Sequence, residues 1–164
     1  MGKENNIKEK FKLALISTAN AISDDFSFEK HKVNNKKIDL FEIEKLDTRY
    51  DFIKYRAESD SSALKKKFSN SEVYKKNLPK NLSYKNLYEL SEKIRCELLG
   101  SKILKGVGAN LKENYINKIS LKKNDQLISK EDVNVNEAFE LYMLENFFNI
   151  KLNHQNEKIL NFWK

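Results

Sequence analysis

Few residues in this chain can interrupt a helix. The 164 residues include one proline, Pro79, and only four glycines, and these two residue types are the ones that disfavour helix interiors most. In the stretches that separate these residues, apolar side chains recur at intervals of three and four residues, which is the spacing of an amphipathic helix. This periodicity predicts helices over about 6–22, 49–68, 83–104 with a continuation to 119, 133–148, and from about 155 onward.

One short segment has the period of a strand. Apolar and polar residues alternate around Phe26 and again around Leu40, on either side of Asn34-Asn35. Asparagine tolerates the positive φ angles that a tight turn needs, so residues 26–43 are predicted to form a β-hairpin. Two strands alone are marginal, so the hairpin is expected to lie on helices or on a partner.

The segments between these elements are predicted to be connections. Residues 70–83 and 121–132 are polar, and Gly106-Val107-Gly108 permits a bend between two helices. Gly100 lies inside a helical pattern, where glycine costs about 1 kcal/mol against alanine, so a close approach by another element is expected there. The predicted fold is mostly α: one multi-helix domain over 1–164, with a small β-hairpin after the first helix.

The composition restricts where the chain can work. No apolar run approaches the roughly 20 residues of a transmembrane helix. Residues 1–12 are charged and lack the apolar stretch of a secretory signal. The single cysteine, Cys96, excludes a disulfide framework and a cysteine-based zinc cluster. Together these features predict a cytoplasmic protein with no membrane contact.

The net charge of +7 raises the question of nucleic-acid binding. Only Arg49, Arg56 and Arg95 are arginines, and lysines are spread along the whole chain. Nucleic-acid sites favour arginine and cluster their charge on one face. The one dense run, Lys65-Lys66-Lys67, suits the last turn of a helix. We therefore expect an unspecialised solvated surface, and a basic nucleic-acid-binding module remains only as a minor alternative.

The side chains that commonly carry chemistry are isolated in this sequence. His31 and His154 lie far apart, and neither has a carboxylate or cysteine at ligand spacing. The pattern of a phosphate-binding loop is absent, and the Gly106–Gly108 segment lacks the third glycine of a dinucleotide-binding turn. Cys96 has no evident histidine partner and is expected to pack in or near the core. The sequence predicts no catalytic residue, no cofactor-binding residue and no metal ligand.

Four charged residues stand out because they lie beside apolar positions of two predicted helices. Arg56 and Asp60 are four residues apart, and Glu92 and Arg95 are three apart, so each pair shares a helix face. If the two helices pack, Asp60 would meet Arg95 and Arg56 would meet Glu92. Arginine at both positions in a lysine-rich chain indicates a demand for planar, bidentate geometry. Two interpretations stay open: an ion-pair network that fixes helix register, or contact with a partner or substrate.

At these residues the sequence resembles the N-terminal region of the CobT family, a subunit of aerobic-pathway cobaltochelatase. Family members carry R-G-x-A-D-x-x-A-L on one helix, then E-x-x-R-x-E-x-x-G, five residues, and G-V-x-x-N-L. The resemblance covers roughly residues 11–163. The matching positions here are Arg56, Asp60, Ala63, Leu64, Glu92, Arg95, Glu97, Gly100, Gly106, Val107, Asn110 and Leu111.

The chain departs from the family pattern at several positions. The family tends to have His-Asp after the first motif, where this chain has Ser69-Asn70, and its motif glycine and next alanine are Ala57 and Ser59 here. The family continues with an acidic linker and a C-terminal von Willebrand A domain, which these residues lack. We expect the natural protein to continue past Lys164.

The resemblance implies a non-catalytic subunit of a ligase that forms nitrogen–metal bonds. It implies two partners: a ring-forming AAA+ ATPase subunit (CobS-like) and a large corrinoid-binding subunit (CobN-like). The complex would insert cobalt into hydrogenobyrinic acid a,c-diamide in cobalamin biosynthesis. ATP, magnesium and cobalt would belong to the full complex, with no cofactor in this domain. The alternative is a subunit of an AAA+/von Willebrand A chaperone-type pair that remodels another protein.

Overall fold

The computed structural model of the chain describes residues 2–24, 43, 45–121 and 129–163. This part of the chain contains seven α-helices and one short 3-10 turn, Lys130–Asp132. The helices are α1 (Gly2–Ser23), α2 (Arg49–Phe68), α3 (Ser71–Lys76), α4 (Leu82–Ile103), α5 (Lys105–Ser120), α6 (Val135–Phe148) and α7 (His154–Asn161). None of these helices combines the length and hydrophobicity that a membrane crossing requires.

The mostly helical prediction is confirmed, but its hairpin is not seen. The described residues contain no strand. Of the segment predicted as a hairpin, only Ile43 is described, so the rest of that prediction lies outside the described residues. The bend predicted near Gly106 falls at Leu104, which separates α4 from α5 with φ −114° and ψ 86°.

Asparagine side chains begin four of the helices. Asn70, Asn81, Asn134 and Asn153 each occupy the N-cap position and accept a hydrogen bond from a backbone N–H of the first turn. The helix predicted over 83–104 would have Ser83 at its start, but the cap is Asn81, which accepts a hydrogen bond from the N–H of Ser83 at 2.9 Å. The same chemistry explains α3, which lies where a loop was predicted.

The helix α2 is the centre of the fold. It packs against α1, α4 and α5, whereas α4 also contacts α5 and α6, and α6 contacts α7. One apolar cluster joins α1, α2 and α5, and a second joins α4, α5, α6 and α7. The first comprises Ala19, Ile22, Ala57, Ala63, Leu64 and Leu111; the second comprises Ile94, Tyr115, Ile119, Val133, Ala138, Leu141, Leu144, Phe148, Ile150 and Ile159.

The inward face of α6 differs from the prediction. The apolar spacing over 133–148 predicts that Ala138, Tyr142 and Phe147 face inward. Tyr142 and Phe147 are exposed, and the buried residues of this helix are Ala138, Leu141, Leu144 and Phe148. The apolar side chains of α6 itself point to several sides of the helix, so their spacing alone does not identify the buried face. In α1, Ile7 is likewise exposed although the periodicity placed it inside.

Candidate functional site

The predicted site residues come mainly from the three helices α2, α4 and α5, which meet between the two apolar clusters. We call this region the three-helix junction and define it by Asp60 on α2, Glu97 and Gly100 on α4, and Asn110 and Tyr115 on α5. Except for Asn110, these residues are buried. Buried polar groups need partners within the fold, and the junction supplies one for each carboxylate.

Asp60 links α2 to α5. The Asn110 amide donates from Nδ2 to Asp60 Oδ2 at 3.1 Å. Burial raises the pKa of Asp60, while the hydrogen bond from Asn110 and the charge of Arg56 act in the opposite direction. The expected pairing of Asp60 with Arg95 is therefore wrong. Arg56 itself is exposed and influences Asp60 through its charge.

Glu97 links α4 to both neighbouring helices. Only 1% of this residue is exposed. The Ser61 hydroxyl donates to its Oε1 at 2.5 Å and the Tyr115 hydroxyl donates to its Oε2 at 2.6 Å. Lys93 Nζ lies 3.8 Å from Oε1. Burial and the charge of Glu97 both raise the pKa of Tyr115, so the phenol keeps its proton and remains a donor.

Glu92 and Arg95 form the ion pair that their spacing predicted. Arg95 donates from Nε to Glu92 Oε2 at 2.7 Å and from Nη2 to Glu92 Oε1 at 2.8 Å. Arg95 Nη2 also donates to the carbonyl of Phe68 at 2.9 Å, and Ser69 Oγ donates to Glu92 Oε1 at 2.7 Å. The pair therefore holds the C-terminal end of α2 against α4. Arg56 does not take part, so the four charges do not form one network.

The two motif glycines have different surroundings. A Cβ at Gly100 would lie 2.6 Å from Leu64 Cδ1 and 2.9 Å from Leu64 Cγ. Leu64 is fully buried, so its side chain has little room to move, and α2 crosses α4 closely at this point. A Cβ at Gly106 would meet no atom within 4 Å among the described residues outside its own turn of helix. Packing therefore requires glycine at position 100 but not at position 106.

A groove of about 490 Å³ opens beside the junction between α2, α4 and α5. Its lining includes Lys65 and Lys93, Glu58 and Glu89, and the buried Glu97. Both oxygens of Glu97 already accept hydroxyl hydrogen bonds, so this carboxylate serves to join helices. Among the described residues, no three His, Cys, Asp or Glu side chains lie close enough together to hold a metal ion.

Cys96 follows the sequence expectation. The thiol is fully buried, and burial, with the charge of Glu92, raises its pKa to about 11. Its Sγ lies 3.6 Å from Arg95 Nη2 and 3.8 Å from Glu92 Oε1. A thiol with this pKa is almost entirely protonated at neutral pH, and the reactive form of cysteine is the thiolate. Cys96 is therefore a packing residue of α4.

Replacing Arg95 with alanine is expected to lower the free energy of unfolding by about 1–2 kcal/mol, because it strands Glu92 and the Phe68 carbonyl. The Arg95 side chain is 48% exposed, so the cost is below that of a fully buried pair. Arg49 pairs with Glu113 at 2.9 Å with 85% of its side chain exposed, and its loss should cost less than about 1 kcal/mol. Urea denaturation of the two alanine variants measures the difference. Equal losses would mean that Arg95 contributes no more than a surface ion pair.

The stability contribution of Glu92 is expected to disappear in acid. The hydrogen bonds from Arg95 and Ser69 hold the pKa of Glu92 at about 2, against an ordinary value of 4.5. A carboxylate with a depressed pKa stabilises the fold above its unfolded-state pKa, and this contribution is lost as the pH falls through the folded-state value. The difference in melting temperature between the parent and Glu92→Gln should therefore shrink between about pH 5 and pH 2. A difference that stays constant over this range would contradict the assignment.

Comparison with known proteins decides the family. The model of the family described as cobalamin biosynthesis protein CobT matches residues 5–164. The chain belongs to the CobT family. No curated protein and no solved structure matches the chain at a significant level. The family assignment agrees with the resemblance carried by the motifs on α2, α4 and α5.

The structure shows what two CobT-family departures do in this chain. Ser69, which stands where the family tends to have histidine, donates to Glu92. Asn70, which replaces aspartate, accepts hydrogen bonds from the backbone N–H groups of Glu72 and Val73 at 3.0 Å and begins α3. Serine and histidine can both donate a hydrogen bond, and aspartate and asparagine are both good N-caps. Ser69 and Asn70 therefore both have a local structural role in this chain.

Sequence reasoning missed several partners of the CobT motif residues. Ser61 and Tyr115 complete the hydrogen bonding of Glu97, and Leu64 fills the space at Gly100. Leu64 belongs to the first motif, and Tyr115 lies one turn beyond Asn110 on the inward face of α5. A search for hydroxyl residues at inward positions of the neighbouring helices could have suggested Tyr115. Nothing in the sequence pairs Ser61 with a residue 36 positions away.

Proposed function

We propose that this chain is the N-terminal scaffold and interaction domain of a cobaltochelatase subunit. In this proposal it acts with an AAA+ ATPase in the ATP-dependent insertion of cobalt into hydrogenobyrinic acid a,c-diamide. The observation that carries the proposal is the CobT family match over residues 5–164. A second partner would be the large corrinoid-binding subunit, which would hold the substrate and the cobalt.

The geometry of the three-helix junction supports a scaffold function. Its carboxylates accept hydrogen bonds from neighbouring helices. Glu97 accepts from a hydroxyl of α2 and a hydroxyl of α5, and Asp60 accepts from the Asn110 amide. Glu92 and Arg95 hold the end of α2. These hydrogen bonds and ion pairs hold the helices in a fixed arrangement. A domain that connects two partner proteins needs such a rigid arrangement. ATP and magnesium would then bind the AAA+ partner.

Deletion of the gene in its source organism tests the substrate of the complex. The proposal predicts that the deletion strain loses cobalamin and accumulates the metal-free corrinoid diamide. Complementation with the natural gene should restore cobalamin, as should a Glu113→Ala version, because Glu113 lies at the surface in an exposed pair with Arg49. A deletion strain with unchanged cobalamin content would overturn the proposal in favour of a chaperone-type pair acting on another protein.

The isolated chain is expected neither to hydrolyse ATP nor to bind cobalt with micromolar affinity. The reason is that the sequence carries no phosphate-binding loop pattern and no cluster of residues at metal-ligand spacing. Titration calorimetry with cobalt and a phosphate-release assay measure both properties. Micromolar binding of about one cobalt per chain would place metal handling in this domain and contradict the assignment of cobalt to a partner.

A further inference from the structure

The net positive charge of the chain is concentrated in one short segment. Residues 65–85 carry seven lysines and a single acidic residue, Glu72, whereas the remaining 143 residues carry 24 basic and 23 acidic residues. Lysines occur throughout the chain, but elsewhere acidic residues balance them. Six of the seven net charges therefore belong to the segment that ends α2, forms α3 and begins α4.

Aromatic contacts bring this segment together at one corner of the fold. The rings of Tyr74 on α3 and Tyr88 on α4 lie 5.2 Å apart, and Lys65 Nζ at the end of α2 lies 5.3 Å from the Tyr74 ring centroid. The last turn of α2 and the second turn of α4 thus both lie beside α3. We call this region the lysine corner and define it as residues 65–85.

Acidic side chains of neighbouring elements neutralise only part of the lysine corner. Lys67 pairs with Asp24 at 2.8 Å, and Lys85 lies 3.8 Å from Glu89. Lys75, Lys76 and Lys80 are exposed, and within the described residues no carboxylate lies at ion-pair distance from them. Lysines at helix C-termini interact favourably with the helix dipole, which accounts for their position on α2 and α3. The dipole does not explain why no described carboxylate lies close enough to Lys75, Lys76 or Lys80 to form an ion pair.

Large apolar side chains are exposed between these lysines. Val73 on α3 and Leu82 and Tyr84 on α4 have 56%, 70% and 65% of their surface exposed. A single exposed apolar residue needs no explanation, but here three lie within 12 positions of a lysine-rich segment, and all three are exposed alongside its lysines. Protein interfaces combine apolar contacts with a charged rim of complementary sign.

We propose that the lysine corner is the docking surface for an acidic segment of a partner protein. The excess of lysine attracts a negative partner, and Val73, Leu82 and Tyr84 give it apolar contacts. A nucleic acid is less favoured, because residues 65–85 contain no arginine for bidentate contacts to bases or phosphates. The inference rests on the proposed scaffold function only in taking the partner to be a protein.

Fluorescence anisotropy tests this surface with two labelled probes. One is a short peptide rich in glutamate and leucine, and the other is a single-stranded RNA of the same total charge. Both are titrated with the 164-residue chain at about 0.15 M salt, where long-range attraction between exposed charges is largely screened. The variants are Lys75→Gln/Lys76→Gln/Lys80→Gln in the corner and Lys102→Gln/Lys105→Gln/Lys151→Gln elsewhere. All six lysines are exposed, so both triple variants should fold. Each variant removes three positive charges, so the two carry the same net charge.

The proposal predicts that the peptide binds more tightly than the RNA. The corner variant should weaken peptide binding about tenfold, and the control variant less than about twofold. A Leu82→Ser/Tyr84→Ser variant should weaken peptide binding with the same salt dependence as the parent, because it removes no charge. Equal losses in the two triple variants, tighter binding of the RNA, or binding of neither probe would each overturn the proposal. Since no ATPase or corrinoid is present, these outcomes are independent of the test by gene deletion.

Discussion

Replacing Glu97 with alanine should lower the free energy of unfolding by about 3–5 kcal/mol, because it strands two hydroxyl donors, one of them buried, and leaves a cavity. The donors are the hydroxyls of Ser61 and Tyr115, at 2.5 and 2.6 Å from the carboxylate. Tyr115 is buried as well, so without Glu97 its hydroxyl could reach water only through the adjoining groove that it helps to line. Urea denaturation monitored by circular dichroism measures the loss.

Two variants control for the loss of a carboxylate as such. Glu97→Gln keeps the shape and one acceptor oxygen, and should cost about 1–2 kcal/mol. Glu113→Ala removes a carboxylate that is 43% exposed in its pair with Arg49, and should cost less than about 1 kcal/mol. If Glu97→Ala is no worse than Glu113→Ala, the two hydroxyls find water in the adjoining groove, and Glu97 does not hold the helices together.

Replacing Gly100 with alanine should destabilise the chain by about 1–3 kcal/mol, although alanine is the better helix former. The added Cβ would lie 2.9 Å from Leu64 Cγ, a branch point close to the backbone of α2. Leu64 is fully buried, so relief requires its side chain to leave its packed rotamer or the two helices to separate. Thermal unfolding of the variant measures the effect, and a melting temperature above that of the parent would show that the crossing is not tight.

Gly106→Ala is the matched control for this prediction. In the described part of the chain, no atom from beyond the local helix backbone lies within 4 Å of the Cβ position at Gly106, so alanine there should be neutral or stabilise α5 by up to about 1 kcal/mol. A double-mutant cycle with Leu64→Ala tests whether Leu64 is the residue that the alanine at position 100 clashes with. Because the smaller side chain removes the obstacle, Gly100→Ala should cost less in the Leu64→Ala background, with a coupling energy of about 0.5–3 kcal/mol.

The helices could be predicted from the sequence because their signals are local. Apolar periodicity placed α2 at 49–68, as the structure has it, and α4 and α6 to within two residues. The six-residue α3 was missed because one and a half turns are too short for a periodic pattern. Its only local signal is Asn70, which accepts from two N–H groups of the first turn.

The contacts between helices could be predicted only in part. The Glu92–Arg95 pair was predictable because both residues lie on one helix at fixed spacing. The partner of Asp60 was not, because it depends on the crossing angle and offset of two helices, which tertiary packing sets. Charge complementarity suggested Arg95, whereas the geometry brings the neutral amide of Asn110 to Asp60. The motif spacing nevertheless identified both residues of that hydrogen bond.

The proposed scaffold function requires this CobT-family chain to bind a ring ATPase. The most direct measurement is size-exclusion chromatography with light scattering of the purified chain mixed with the AAA+ chelatase subunit from the same genome, with magnesium and ATP present. The account predicts that the two proteins elute together at a mass above that of the ATPase ring alone. Separate elution at concentrations of tens of micromolar, typical of weak but specific contacts, would contradict it.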